Sequence, residues 1–166
     1  MKKLLKVVSN VLLVLVVVLA VLLYGVKIFG LTPYTVLSGS MERVYPTGSV
    51  IYVAKTNPEK LLVNDVITFK MQNGTVATHR IIELVFDETN TVRFRTKGDE
   101  NEIADGTLVD FKSVIGKPLF CIPFLGFLAT FLTYPAGKLM VSAVFVMLII
   151  IEILCFFISK KIKKET

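Results

Sequence analysis

The chain has one histidine and two cysteines, few ligands of the types that zinc usually takes and few thiols for a disulfide. Structural zinc takes four ligands, mostly Cys and His, so a lone His79 with the distant Cys121 and Cys155 falls short. Two such thiols make no disulfide framework, and both read as small apolar residues in apolar surroundings. Carboxylates are more plentiful, but no loop spaces them as a calcium site requires. The sequence therefore implies neither a metal nor any other cofactor.

Charge is missing too, in two particular places. No residue between Lys6 and Lys27 is charged. At 1.5 Å per residue, about twenty helical residues span roughly 30 Å, the thickness of a hydrocarbon core. Tyr24, Gly25, Val26 and Lys27 make a poor small-x-small cleavage site, so this run is expected to be an uncleaved anchor helix. The second run, about residues 141–158, is interrupted only by Glu152. An ionisable group inside a span is a functional candidate by default. Glu152, however, lies two turns from Lys160, where it can snorkel or pair near the interface.

The net charge of +6 is placed with the same logic. Lys2, Lys3 and Lys6 precede the first apolar run, and Lys160, Lys161, Lys163 and Lys164 follow the last. Basic clusters flanking apolar helices fix topology and meet anionic headgroups, which argues against a nucleic-acid partner and for a lipid bilayer. Both termini are then expected on the cytoplasmic side, with the middle of the chain outside. The organisation predicted is a cytoplasmic tip and anchor over 1–27, an extracytoplasmic domain over 28–117, an apolar interfacial or docked segment over 118–138, and a last span with a basic tail over 139–166. The third segment is uncharged up to Lys138 after Lys117, but Pro118, Pro123, Gly126 and Pro135 break it up. A third span there would put the terminal lysines outside.

The middle domain reads as mostly β. Residues 49–55, 65–71, 75–86, 91–96 and 113–120 are rich in Val, Ile, Phe and Thr with partial alternation. Asn73-Gly74 between two of them is a hairpin signal, since both residues tolerate positive φ. Asn73-Gly74-Thr75 is also a glycosylation sequon. Repeats, low-complexity linkers and useful helical periodicity are lacking, so a small antiparallel β domain flanked by two transmembrane helices is expected.

Three motifs carry possible chemistry. His79, within a β run, is the only imidazole available for acid–base work, although a lone histidine is more often structural. Leu37-Ser38-Gly39-Ser40-Met41-Glu42 is a small-residue turn that exposes a hydroxyl, or a simple Ser/Gly turn. Thr96-Lys97-Gly98-Asp99-Glu100-Asn101, continuing to Asp105, is an ordinary acidic turn whose carboxylates can also orient an imidazole.

Taken in order, these motifs resemble signal peptidase I, in the branch shared by endoplasmic-reticulum, archaeal and some Gram-positive enzymes, where a histidine replaces the usual bacterial lysine. The resemblance covers about residues 35–125. Ser38-Gly39-Ser40-Met41-Glu42 is similar to the nucleophile box, Asp65-Val66-Ile67-Thr68-Phe69 to the strand after it, and His79-Arg80-Ile81 to the general-base box. Thr96-Lys97-Gly98-Asp99, with Asn101 and Asp105, is similar to the acidic box. Three positions depart: Arg43 where Pro is usual, Asn64 where Gly is usual, and Glu100 where Asn is common.

The resemblance implies a membrane-bound serine endopeptidase that removes signal peptides from exported pre-proteins. Ser40 would be the nucleophile and His79 the general base. Asp105 would orient the ring, with Asp99 shaping the acidic loop and standing as second choice. The Ser40 N–H and the Ser38 hydroxyl would form the oxyanion hole, although Ser38 equally suits a turn cap. Tyr34, Val36, Val76 and Ala77 would edge a groove for an extended substrate with small residues before the cut. Accessory membrane subunits fit the same picture. The competing expectation is a catalytically inactive membrane-anchored β domain serving as a secretion or assembly subunit.

Overall fold

The computed structural model describes residues 2–86 and 91–162, with side chains described for residues 6–86 and 91–154. Two compact units account for them: one formed by 1–25 with 130–166, the other by 26–129.

The first unit is helical. The first apolar run forms α1, Lys2–Leu23, and the last forms α3, Pro135–Ile162. The two helices pack against each other. Both are long and apolar enough to cross a membrane, with mean hydropathy 2.8 over Lys6–Leu23 and 2.3 over Pro135–Leu154. Pro135 opens α3 in the first turn, where its missing N–H costs nothing. This helix therefore starts earlier than the sequence pattern suggests. One carboxylate oxygen of Glu152 is buried without a hydrogen-bond partner among the described residues. Whether Glu152 pairs with Lys160 lies outside the described side chains, as do the lysines at either end of the chain beyond Lys6.

The second unit is a seven-stranded antiparallel sheet in the order β1-β2-β7-β3-β4-β5-β6. Its strands are β1 Leu31–Thr35, β2 Val50–Ala54, β3 Val66–Lys70, β4 Val76–Phe86, β5 Val92–Lys97, β6 Val109–Asp110 and β7 Val114–Ile122. The five apolar runs of the sequence correspond to β2, β3, β4, β5 and β7. Strand β1 escapes the pattern because Pro33 sits in it; proline removes a ladder donor and is tolerated on an edge strand, which β1 is. Strand β6 has only two residues, too few for alternation to register.

The core lies between β3, β4, β5 and β6, where Leu61, Ile67, Phe69, Ile81, Phe94 and Val109 are buried together. Fully burying each such side chain contributes about 1.5–3 kcal/mol. Along β4 the alternation of a strand puts Ala77, His79 and Ile81 on one face. Ile81 enters this core and Ala77 packs against it, so His79 sits on an inward face between them.

Strand β7 joins the two parts of the sheet. Its first residues pair with β3, Thr68 opposite Gly116, and its later ones pair with β2, Ala54 opposite Lys117 through Val50 opposite Ile122. A Cβ on Gly116 would overlap the Ala54 carbonyl, so the change of partner depends on a bare backbone. The ladder with β2 is irregular between Tyr52 and Val53, which face Phe120 and Pro118. The extra residue on β7 makes a bulge, a place where proline fits a sheet. Residues 118–138 are thus not of one kind. Their start belongs to β7, then comes a short helix α2, Leu125–Phe131, and α3 begins before they end.

Candidate active site

The serine turn follows β1. Ser38 is extended, with φ −127° and ψ 157°, and Gly39–Met41 make one turn of 3-10 helix. Behind it, the Glu42 carboxylate accepts from the Thr47 N–H at 3.0 Å and the Thr47 hydroxyl at 2.6 Å. Those two bonds, the hydroxyl first, hold the Glu42 pKa below the usual carboxylate range. Met41 anchors the turn from within, being 2% exposed.

His79 reaches this turn from β4. Its Nε2 lies 3.2 Å from Ser40 Oγ and its Nδ1 lies 2.7 Å from Asp105 Oδ2. The ring packs edge-on to Phe69, with centroids 6.2 Å apart. Asp105 follows the acidic loop and is tied to β5 twice: its N–H donates to the Thr96 carbonyl at 2.8 Å, and the fully buried Thr96 donates its hydroxyl to Asp105 Oδ2. A carboxylate fixed on one side of an imidazole leaves the other nitrogen free to accept a proton, which is the arrangement of a Ser-His-Asp row. The side chains of His79 and Asp105 are 13% and 19% exposed, so the row is shielded yet reachable.

Asp99 has different company. Arg80 donates to it twice, Nε to Oδ1 at 2.8 Å and Nη2 to Oδ2 at 2.6 Å, and its Nη1 donates to the Asn64 carbonyl at 2.8 Å. The Arg80 hydrogen bonds hold the Asp99 carboxyl below its ordinary range. Asn64 has φ 77°, the left-handed conformation that asparagine tolerates better than most residues. Asp99 therefore belongs to Arg80 and Asp105 to His79.

The acidic loop also supports the serine turn from beneath. The Glu100 N–H donates to the Ser40 carbonyl at 3.0 Å. At Gly98 a Cβ would stand 2.7 Å from the Ser40 carbonyl oxygen and 2.9 Å from Ser40 Cβ, so only glycine fits without displacing Ser40. Ser38 Oγ lies 3.3 Å from Ser40 Oγ.

A cleft of about 410 Å³ opens beside Ser40 and His79. Tyr34, Val36, Val76 and Ala77, the residues expected to edge a groove, all line it, together with Tyr45, Ile51, Met71 and Asn101. Burial pushes the Tyr45 hydroxyl up from its ordinary pKa, so it stays neutral in the cleft wall. Sequence reasoning gave no role to Thr96, Arg80 or Tyr45. The signal for Thr96 was its place in the acidic box on a buried strand face, where a hydroxyl must find an acceptor. Among the described residues no three of His, Cys, Asp or Glu are grouped as a metal site would need.

Comparison with known proteins adds relatives. Signal peptidase I W of Bacillus subtilis (strain 168) is 38% identical over 121 residues, covering 66% of this chain and 63% of that protein. The human signal peptidase complex catalytic subunit SEC11C is 27% identical over 118 residues, covering 66% of this chain and 62% of that protein. A human putative signal peptidase complex catalytic subunit, SEC11B, is 23% identical over 116 residues, or 64% and 70% of the two chains. The chain thus spans a little under two thirds of the length of the first two relatives. No family model matches the chain. Its motifs in order, its antiparallel β domain and these relatives together place it: the chain belongs to the signal peptidase I family, in the branch that includes the SEC11 catalytic subunits.

Proposed function

We propose that this protein is a membrane-bound serine endopeptidase that removes signal peptides, with Ser40 as nucleophile and His79 as general base. The observation that carries the reading is the unbroken row from Ser40 Oγ to His79 Nε2 at 3.2 Å and from His79 Nδ1 to Asp105 Oδ2 at 2.7 Å. A serine hydroxyl is a weak nucleophile until a base within hydrogen-bond reach takes its proton. In the proposed cycle Ser40 Oγ attacks the scissile carbonyl as His79 accepts the proton. Asp105 steadies the imidazolium, and His79 then protonates the leaving amine. An acyl-enzyme on Ser40 remains, and water activated by the same ring releases it.

The oxyanion needs donors aimed at it. Ser40 lies in the first turn of a 3-10 helix, where backbone N–H groups lack intrahelical acceptors, and the Ser38 hydroxyl lies close by. Strand β1 is an edge strand of the sheet among the described residues, and Tyr34 and Val36 at its end line the cleft with Val76 and Ala77. An extended peptide added to that edge would gain main-chain hydrogen bonds while alternate side chains enter the cleft.

The bilayer is the second partner. Two spans with basic flanks put both termini in the cytoplasm and the β domain outside. Of the segment expected at the interface, residues 123–134, between β7 and α3, would lie there, and the exposure of Phe124 at 78% and Phe127 at 60% supports this. Accessory membrane subunits would join there. The sequon at Asn73 tests the sidedness. Expressed with glycosylating microsomes, the chain should gain one glycan that Asn73→Gln removes; protection of the β domain by the cytoplasmic side instead would reverse the topology.

The deciding experiment uses the full chain in detergent with a labelled signal-peptide substrate. Wild type should cut after a small residue and Ser40→Ala should not. A folded wild type that cuts nothing would favour the inactive assembly subunit.

A further inference from the structure

The acidic loop holds the serine turn through more than its backbone. Besides the Glu100 N–H on the Ser40 carbonyl at 3.0 Å, the Asp99 N–H faces Met41 Sδ at 3.2 Å. A further contact uses side chains alone: Arg43 Nε meets Glu100 Oε1 at 2.9 Å. Glu100 therefore grips the turn twice, by its N–H on Ser40 and by its carboxylate on Arg43. The other arm of the turn is fixed separately, by Glu42 on Thr47. Of the three positions at which the sequence departs from its family's motifs, Arg43 and Glu100 are the two that gain a charge, and the charges are opposite.

We propose that Arg43 and Glu100 form a latch between the serine turn and the acidic loop, and that both are positioning residues for Ser40. The proposal rests on the Ser40–His79 reading above. Neither side chain touches the reacting atoms; they set where Ser40 Oγ stands relative to His79 Nε2. Reaction across that gap depends steeply on small displacements. The effect should therefore appear in turnover and not in substrate affinity. The Arg43 side chain is 84% exposed and that of Glu100 31% exposed, so the pair is open to water and to salt. An exposed single-contact ion pair is modest and screened, so the latch tunes the site and does not create it.

The test takes the full chain in detergent with Arg43→Gln, Glu100→Gln, the double variant and the exchange Arg43→Glu with Glu100→Arg. Each single variant should lower kcat about two- to fivefold at low salt with KM unchanged. The double should be no worse than either single, and the exchange should recover most of the loss. Wild-type kcat should fall by a similar factor towards 1 M salt, while the variants stay flat. Additive losses, a change confined to KM, or salt dependence surviving in Arg43→Gln would overturn the latch.

A second readout does not need cleavage. The chain has one histidine, so its ring nitrogens give a single pair of resonances in labelled protein. Ser40→Ala marks the shift produced by losing the hydroxyl contact. The latch variants should move the Nε2 resonance part of the way towards it. An unmoved resonance would reject the latch whether or not the protein cuts peptides. Failure of wild type to cut, with the resonance moving as expected, would reject the peptidase reading and leave the latch standing.

Discussion

Asp99 and Asp105 leave the same strand within one loop, and their surroundings separate them. Asp105 meets an imidazole on one side and the buried Thr96 hydroxyl on the other. Asp99 meets a guanidinium that grips both of its oxygens. A fixed charge beside one carboxylate makes it a brace. An imidazole beside the other makes it, in the proposed reading, part of a proton path. The difference teaches that an acidic motif does not declare which of its members does chemistry; the partner does.

The largest expected effect comes from removing charge at the ring. Asp105→Asn keeps the shape but offers His79 an amide and the wrong tautomer, and peptide cleavage should fall by roughly 10³ to 10⁴ in kcat. Unfolding should stay cooperative. If Asp99→Asn harmed cleavage more than Asp105→Asn, the two roles would have to be exchanged.

Asp99→Asn should instead be felt first in stability. It strands the Arg80 guanidinium, whose side chain is 31% exposed against 21% for Asp99. The cost should be on the order of 1–2 kcal/mol, below that of a fully buried pair because water screens part of it. Acid should erase this difference. The folded Asp99 pKa is depressed by its Arg80 hydrogen bonds. Its stabilisation is therefore complete above the unfolded value, about 3.9, and is lost as pH falls through the lower folded value. Urea midpoints of wild type and variant should converge below about pH 4; a constant gap down to pH 2 would contradict the assignment.

The smallest effect probes the support behind Asp105. Thr96→Val deletes one donor to the carboxylate and keeps the branched shape. Cleavage should fall about tenfold, the worth of one hydrogen bond to a charged group. Unchanged kcat would mean that the β5 backbone alone holds Asp105.

Much of this was legible in the residues, and for identifiable reasons. Val-, Ile- and Phe-rich runs marked five strands, Asn73-Gly74 marked their hairpin, and uncharged runs marked both long helices. Ser40, His79 and Asp105 stood out because the chain has few groups able to do acid–base work and these follow a family's order. What stayed hidden depends on contacts distant along the chain. Strand β1 carries Pro33, so only its place at the sheet edge explains it. The attachment of Asp99 to Arg80 needed the packing of β4 against the acidic loop. The meeting of Arg43 with Glu100 left no local trace in either motif.

The change of partner at Gly116 has a consequence for synthesis. By Asp110 the ribosome has already made the serine turn, the imidazole strand and both aspartates. Yet β1 and β2 share no ladder with β3 to β6 until β7 is laid down between them. A nascent chain can hold Ser40, His79 and Asp105 while lacking the strand that brings the two parts of its sheet into register. In the proposed reading, catalytic competence then waits for the emergence of residues 114–122, which are made ahead of α3.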